Sequence, residues 1–179
     1  MADFVILVDE NDQQIGIEEK MKAHEGDGKR HRAFSILIFN EKGETMLQQR
    51  ALSKYHSGGL WTNTCCSHPR PEENTLAAAH RRLGEEMGFD CKLKEVFEYK
   101  YQIKLDHGLS ENEYLHVFIG KYDEDPIINR DEAEDWKWIS WENLNEDVNK
   151  NPGSYTFWFK VTLKELNKRR GENEKLLEI

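Results

Sequence analysis

The chain is poor in cysteine. It has three cysteines among 179 residues, and two of them, Cys65 and Cys66, are adjacent. An odd number with this spacing is not a disulfide framework, so we expect free thiols in a reducing, cytosolic setting. No Cys-x-x-Cys pair occurs, which argues against a zinc finger.

Long hydrophobic runs and excess positive charge are also absent. No run approaches the roughly 20 apolar residues of a membrane helix, and residues 1–5 lack the basic flank and apolar core of a signal peptide. The 34 acidic residues outnumber the 25 Lys and Arg, which gives a net charge of -9. We therefore expect a cytoplasmic protein that binds neither nucleic acid nor membranes. An anionic substrate would need local cations or metal ions.

The pattern of apolar residues and breakers predicts one domain over residues 1–179, because no repeat, linker or composition shift divides it. Strands are predicted over 4–8, 33–39, 45–49, 61–66, 96–105, 114–122 and 136–141. A turn at 40–43 predicts a hairpin, and 106–108 joins the two long strands. Helices are predicted from 74 or 75 to about 87, over 142–150, and from 157 to about 168. This order predicts an α+β or α/β fold with a mixed sheet flanked by helices.

The first of these helices carries paired carboxylates. Asn74 or Thr75 can cap it, and Gly88 follows its end. At about 100° per residue, Glu86 borders the apolar stripe and looks inward, whereas Glu85 points nearly opposite. The residues predicted for the stripe are Leu76, Ala79, Leu83 and Met87.

A thiol and an imidazole lie two residues apart in the segment that precedes this helix. In an extended chain Cys66 and His68 share a face, while Cys65 turns the other way. The two side chains are either a reactive pair or, with equal weight, a small core residue and its polar neighbour.

Two further histidines, His24 and His31, have two glycines between them, so a loop rather than a helix face must bring them together. Taken alone, they are more simply two exposed loop histidines.

The pair Glu111 and Glu113 has the spacing of one strand face. In isolation these carboxylates are as readily a solvated strand end.

Aromatic residues on the neighbouring strand strengthen the functional interpretation of the pair Glu111 and Glu113. Tyr99 and Tyr101 have the same spacing, and hairpin pairing would bring a tyrosine near a glutamate. Three imidazoles with two carboxylates can form a five-ligand site for Mn²⁺, Mg²⁺ or Zn²⁺.

Cations form a third group. The segment from Arg50 to Lys54 precedes the pair Gly58 and Gly59 and can cradle a phosphate, although solvated surface charge explains most lysines equally well. Trp158 lies on an aromatic-rich helix, where core packing is the simpler role. The basic residues of this group are Lys20, Lys22, Arg50, Lys54, Arg81 and Arg82.

The residues from Glu73 through Arg81-Arg82-Leu83-Gly84-Glu85-Glu86-Met87-Gly88-Phe89 resemble the Nudix box. Ser67 stands where the box has its leading glycine, and Arg82 replaces the glutamate that follows the box arginine. Losing that carboxylate reduces the capacity for the metal ions with which a hydrolase activates water.

With Asn63-Thr64-Cys65-Cys66-Ser67-His68-Pro69 and Glu111-Asn112-Glu113, these departures resemble the type I isopentenyl-diphosphate isomerases, a Nudix-like family, over a core of about residues 20–160. The resemblance implies a Nudix-like fold and catalytic roles for Cys66, Glu113 and Tyr101. It implies metal ligation by His24, His31, His68, Glu111 and Glu113, with Glu86 helping to hold a second ion. It further implies substrate binding by Lys20, Arg50, Lys54, Arg82 and Trp158.

The implied reaction moves a double bond by adding one proton and removing another, through a tertiary carbocation. The implied cofactors are Mg²⁺ bridging the diphosphate and Mn²⁺, Mg²⁺ or Zn²⁺ at the His/Glu site, without flavin. The implied partner is a small allylic or homoallylic diphosphate, bound by a monomer or weak dimer. A Nudix hydrolase and a non-catalytic metal-binding module are the alternatives.

Overall fold

The computed structural model describes residues 3–54, 56–105, 108–173 and 176. Within these ranges nine strands form one mixed sheet. The strands are β1 (Phe4–Val8), β2 (Gln14–Glu19), β3 (His31–Phe39), β4 (Glu44–Arg50), β5 (Trp61–Thr62), β6 (Cys65–Ser67), β7 (Leu93–Lys104), β8 (Ser110–Lys121) and β9 (Ala133–Ser140). The α-helices are α1 (Lys20–His24), α2 (Thr75–Met87), α3 (Trp141–Lys150) and α4 (Phe157–Glu172), with a short 3-10 helix at Pro152–Ser154 before α4.

Strand β3 organises the sheet. It runs parallel to β8 from the pair His31–Glu113 to the pair Phe39–Lys121, and β7 extends β8 as an antiparallel neighbour. On its other side β3 meets β4 only at Phe39–Thr45 and then pairs with β6, while β4 pairs with β5 and β9. The two strands therefore diverge, and the space between them opens into the interior.

Helices cover both faces of the sheet. Alternate residues of β3 contribute to two cores, because successive side chains of a strand point to opposite faces. Ala33 and Leu37 pack with residues of α3 and α4, whereas Ile36 and Ile38 pack with residues of α2. A strand buried on both faces accounts for the continuous apolar run. The predicted α+β fold with a mixed sheet is confirmed.

Helix α2 begins and ends as its capping residues predict. The side chain of Asn74 accepts hydrogen bonds from the N–H groups of Leu76 and Ala77, and Gly88 adopts a left-handed conformation at the end. Glu86 is 4% exposed and faces inward, as expected. The placement of Leu76 in the buried stripe is wrong, since this side chain is 40% exposed in the first turn.

Other local predictions fail where tertiary contacts decide. Strand β2 and helix α1 are missing from the predicted elements. The strand predicted over 61–66 is interrupted at Asn63 and Thr64, whose buried side chains bond to backbone carbonyls of Ile36, Cys65 and Met46. The hairpin predicted around 40–43 has a single residue pair beyond its turn. Of the junction predicted at 106–108, Asp106 and His107 lie outside the described residues.

Gly88 offers a test of this fold. Its φ is 75°, and an added Cβ would lie 2.3 Å from the carbonyl oxygen of Ile127. We expect Gly88→Ala to lower the free energy of unfolding by about 2–4 kcal/mol, because left-handed strain and a backbone clash combine. Urea denaturation measures this.

The matched control is Gly171→Ala, which lies in the exposed last turn of α4 with no heavy atom within 4 Å of the added Cβ. That change should leave stability equal or raise it by up to about 1 kcal/mol. A Gly88→Ala protein as stable as the parent would contradict the close approach of α2 to the segment that carries Ile127.

Candidate active site

One rung of the sheet brings together three residues that are far apart in sequence. His31 on β3 is paired with Glu113 on β8, and Glu113 is paired with Tyr101 on β7. The hydroxyl of Tyr101 donates to Glu113 Oε2 at 2.7 Å. The predicted contact between a tyrosine and this glutamate is confirmed, and the parallel pairing of β3 with β8 adds the imidazole.

The three predicted metal-binding histidines converge on this rung. The ring centroids of His24 and His31 are 4.6 Å apart, and those of His31 and His68 are 4.9 Å apart. His68 Nε2 lies 3.1 Å from Glu113 Oε1 and 3.2 Å from His31 Nε2. His24 Nε2 lies 3.0 Å from Glu111 Oε2. Helix α1 and the loop after it thus join two histidines that no helix face connects.

Backbone carbonyls fix the orientation of two of these rings. His24 Nδ1 donates to the carbonyl of Lys20 at 2.7 Å, and His31 Nδ1 donates to that of Lys29 at 2.8 Å. Since a carbonyl only accepts, Nδ1 carries a proton in both rings, and Nε2 faces the carboxylates. Such an outer hydrogen bond is typical of imidazoles that bind metals.

Burial and neighbouring charges shift the pKa values of the three histidines in different directions. Burial, with His68 nearby, lowers the pKa of His31 to about 4. Burial also lowers the pKa of His68 well below its usual range, with Lys20 contributing. For His24 burial lowers the pKa, but the contact with Glu111 outweighs it and leaves the pKa raised. Two of the three rings are therefore neutral and able to bind a metal at pH 7.

A divalent cation fits this donor set. Ligand atoms of His24, His31 and His68 lie within 4.8 Å of one another, as do those of His31, Glu111 and Glu113. Glu111 Oε2 is buried beside His24 Nε2, at 3.0 Å. A buried carboxylate is costly unless a cation or proton satisfies it, and His24 supplies one only while it is protonated.

The adjacent cysteines face opposite sides of β6, as predicted. Cys65 is fully buried in the core beneath α2, whereas Cys66 packs toward the core of α4 and contributes to the cavity wall. All three cysteines are free thiols. Burial raises the pKa of Cys66 to about 12, with Arg50 opposing and the charges of Glu86 and Glu113 adding to the rise. Cys66 is thus a neutral thiol at pH 7.

Basic residues gather at the α2 end of the cavity. Arg82 lies 2.6 Å from Glu86 Oε1 and 3.2 Å from Glu132 Oε2, and Lys54 also pairs with Glu132. Glu86 accepts a further hydrogen bond from Gln48 Nε2 at 2.9 Å. The carboxylates hold the cations in place.

Arg50 and Trp158 stand next to each other in the cavity. The Arg50 guanidinium carbon lies 5.1 Å from the centroid of the indole, a cation–π contact. Its Nε is buried without a hydrogen-bond partner among the described residues. The indole N–H of Trp158 donates to Thr62 Oγ1 at 3.1 Å, which fixes the ring.

A single open cavity joins these groups. Its volume is about 710 Å³ when the solvent space at its mouth is counted, and it lies where β3 and β4 diverge. Of the predicted site residues, His31 and Tyr101 lie behind its wall, in contact with Glu113. The others line it: Lys20, His24, Arg50, Lys54, Cys66, His68, Arg82, Glu86, Glu111, Glu113 and Trp158.

Several cavity residues are missing from the sequence-based prediction, and three of them contact predicted site residues. Gln48 orients Glu86, Glu132 pairs with two cations, and His56 lies edge-on to Trp158 with centroids 5.5 Å apart. Glu132 belongs to an acidic run, residues 131–135, in which no pattern distinguishes it from solvated carboxylates. His56 precedes the Gly58-Gly59 loop, and its position next to this predicted phosphate-binding loop is the one sequence signal that could have indicated a site residue.

Comparison with known proteins agrees with this geometry. The NUDIX domain family matches residues 29–159. The fold is similar to DR0079 from Deinococcus radiodurans, with a TM-score of 0.69 at 16% identity, covering 83% of this chain and 90% of that one. It is also similar to the MutT protein of Methanosarcina mazei Go1, with a TM-score of 0.64 at 19% identity, covering 79% and 95%.

Curated relatives are much closer in sequence. The isopentenyl-diphosphate Delta-isomerase 2 of Aromatoleum aromaticum is 53% identical over 91% of this chain and 86% of its own length. The isopentenyl-diphosphate Delta-isomerase 2 of Photorhabdus laumondii is 52% identical over 93% and 94%. The chain belongs to the isopentenyl-diphosphate Delta-isomerase family.

Membership of this isomerase family, within the Nudix fold, is consistent with the metal-ligand cluster, because Nudix enzymes use divalent metals and the described residues supply candidate ligands. In the part of the chain that the structure describes, no helix has the length and apolarity to cross a membrane.

Because Glu111 is a candidate metal ligand in this isomerase-family site, we expect Glu111→Gln to reduce the thermal stabilisation that Mn²⁺ gives the protein. A cation at 100 times its Kd stabilises a folded protein by about 2.7 kcal/mol, and we expect the variant to keep less than half of the stabilisation that Mn²⁺ gives the parent chain. Thermal unfolding with and without Mn²⁺ measures it. Glu124→Gln, at an exposed carboxylate, is the control. Equal Mn²⁺ stabilisation in all three proteins would remove Glu111 from the ligand set.

Proposed function

We propose that this chain interconverts isopentenyl diphosphate and dimethylallyl diphosphate, with Cys66 and Glu113 exchanging protons with carbon. The isomerase names of its relatives support the reaction. The observation that carries it is the one cavity shared by a neutral thiol and a carboxylate that is itself held by Tyr101 and His68.

The reaction conserves atoms and charge. A proton added to the terminal methylene carbon leaves a tertiary carbocation, and removal of a proton from the methylene carbon next to the cation, on the diphosphate side, forms the internal double bond. One group must give a proton and another must take one, which leaves the total number of protons on the enzyme unchanged. Cys66 and Glu113 are the two groups in the cavity proposed for these transfers, with Tyr101 as the hydrogen-bond donor that orients Glu113.

We assign His24, His31, His68, Glu111 and Glu113 to one divalent ion, Mn²⁺, Mg²⁺ or Zn²⁺. An ion bound there would supply positive charge beside the Glu113 carboxylate. Glu86 is proposed to help hold a Mg²⁺ ion that would neutralise charge on the diphosphate. Its carboxylate faces the cavity between Arg82 and Gln48, where an anionic substrate brings the charge that an additional cation requires.

The diphosphate end is proposed to lie among Lys20, Arg50, Lys54 and Arg82. The unpaired Nε of Arg50 supports this, because a phosphate oxygen would satisfy a donor that is otherwise buried. These charges hold the one polar part of a substrate whose hydrocarbon offers no hydrogen bond. The overall charge of -9 makes such a local group necessary.

The hydrocarbon end is proposed to lie against Trp158. An indole face stabilises a desolvated cation by about 2 kcal/mol, which is small beside the cost of a tertiary carbocation, so exclusion of water must contribute the larger share. The adjacent Arg50 guanidinium, 5.1 Å from the indole centroid, supports the assignment, since a five-carbon diphosphate needs its hydrocarbon and diphosphate subsites close together.

Arg82 weighs against hydrolysis of a nucleoside diphosphate derivative. A guanidinium stands where the Nudix box has a carboxylate, and it pairs with Glu85, Glu86 and Glu132. The carboxylates that a hydrolase uses to hold metal ions are thereby reduced in number and neutralised.

Incubation with isopentenyl diphosphate and Mg²⁺ in deuterated water tests the function. We expect dimethylallyl diphosphate, deuterium exchange at carbon, and no phosphate release. Cys66→Ala should lower kcat at least about 1,000-fold, within the range for loss of a group that transfers protons in the transition state. Cys91→Ala, at a partly buried thiol outside the cavity, is the matched control and should keep full turnover. Phosphate release without isomerisation would favour the hydrolase, and full activity of Cys66→Ala would refute its role.

Replacing Trp158 tests the hydrocarbon subsite. We expect Trp158→Leu to lower kcat by about 10-fold or more with a smaller change in KM, because the contact stabilises charge that exists only during the reaction. Trp136→Leu, which changes an indole on β9 outside the cavity, serves as the control. An unchanged kcat for Trp158→Leu, measured on a protein with native unfolding behaviour, would leave this residue with a packing role only.

A further inference from the structure

A second cluster of metal-binding side chains lies on the other face of β7 and β8. Glu113 and Leu115 turn toward the cavity, so His116, three residues after Glu113 on an extended strand, points away from it. Ligand atoms of His116, Glu95 and Glu98 lie within 4.8 Å of one another. His116 is 8% exposed, so the cluster combines a buried imidazole with two exposed carboxylates and is more than a patch of acidic surface.

A β-bulge puts both glutamates on the same side as His116. The register passes from the pair Glu95–Phe118 to the pair Phe97–Val117, which leaves Val96 as an extra residue. Residues three apart on a regular strand lie on opposite faces, but the bulge brings Glu98 directly across from His116 on the face of Glu95. The backbone irregularity thus creates the cluster.

Outer hydrogen bonds orient the ligands. His116 Nε2 lies 3.1 Å from Asp12 Oδ2, and Asp12 Oδ1 accepts from Arg32 Nε at 2.7 Å. His116 Nδ1 lies 2.6 Å from Glu95 Oε1 and 3.8 Å from Glu98 Oε2. The Tyr114 hydroxyl donates to Glu98 Oε1 at 2.6 Å. One nitrogen of the His116 ring thus contacts the Asp12 carboxylate, and the other faces Glu95 and Glu98. This arrangement is typical of imidazoles that bind metals.

We propose that His116 Nδ1, Glu95 and Glu98 bind one divalent transition-metal ion of the Zn²⁺ class, with water completing its coordination. One imidazole and two carboxylates suit Zn²⁺, whereas Mg²⁺ gives up its waters reluctantly and prefers oxygen ligands. The ion takes the place of the proton that His116 otherwise shares with Glu95, so binding releases a proton. Through His116 and Asp12 the ion links β7 and β8 to the turn between β1 and β2.

Calorimetric titration of the metal-free, full-length protein with Zn²⁺ tests the site. We expect His116→Asn to bind one equivalent fewer than the parent chain. His80→Asn is the matched control, because His80 Nδ1 also lies 2.6 Å from a carboxylate, Asp90, but belongs to no group of three candidate ligands among the described residues. It should bind the same number of ions as the parent. Equal Zn²⁺ stoichiometry in all three proteins would overturn the proposal.

Two milder variants keep the test sharp if His116→Asn does not fold. Asp12→Asn suits a residue with φ of 60° and should weaken this Zn²⁺ site by about 10–100-fold without removing a ligand. Glu98→Gln, at a side chain that is 51% exposed, should weaken it as well. Unchanged affinity in both would refute the site. Isomerase turnover, measured separately on the same variants, should stay at the parent value. The Zn²⁺ site and the isomerase function are therefore tested independently of each other.

Discussion

Parallel pairing of β3 with β8 sets His31 opposite Glu113, and antiparallel pairing of β8 with β7 sets Glu113 opposite Tyr101. A shift of one residue in either register would turn Glu113 to the other face of the sheet. Strands β3 and β8 are both buried on their two faces, and this burial fixes their register. The imidazole and the carboxylate of the site are therefore positioned by two buried strands, and the phenol of Tyr101 lies on the more exposed β7.

Divergence of β3 and β4 supplies the space. Had the turn at residues 40–43 started a full hairpin, the gap that holds Cys66 and the basic residues of the cavity would be closed. Instead, buried side chains of Asn63 and Thr64 bond to carbonyls of β3, β4 and β6. These polar bonds replace strand pairing and hold the cavity wall where Cys66 faces inward.

Charge is balanced locally rather than over the whole chain. Arg82 and Lys54 are held by Glu86 and Glu132, and the candidate metal-ligand cluster places carboxylates beside imidazoles. Such an arrangement gives one pocket of an acidic protein both donor atoms that suit a cation and positive charge that suits an anion. The same logic appears on the opposite face, where Asp12, Glu95 and Glu98 surround His116.

The sequence by itself determined the elements whose signals are local. Asn74 and Gly88 define α2, the two-residue spacing of Glu111 and Glu113 predicts their shared face, and Cys65 and Cys66 separate because a strand alternates. The quoted motifs were specific enough to indicate the family. Tertiary structure alone decided the long-range features: the parallel β3–β8 register, the bulge at Val96, the exposure of Leu76 and the inward turn of Glu132. Each depends on contacts between segments far apart in the chain, and such contacts leave no periodic trace in either segment.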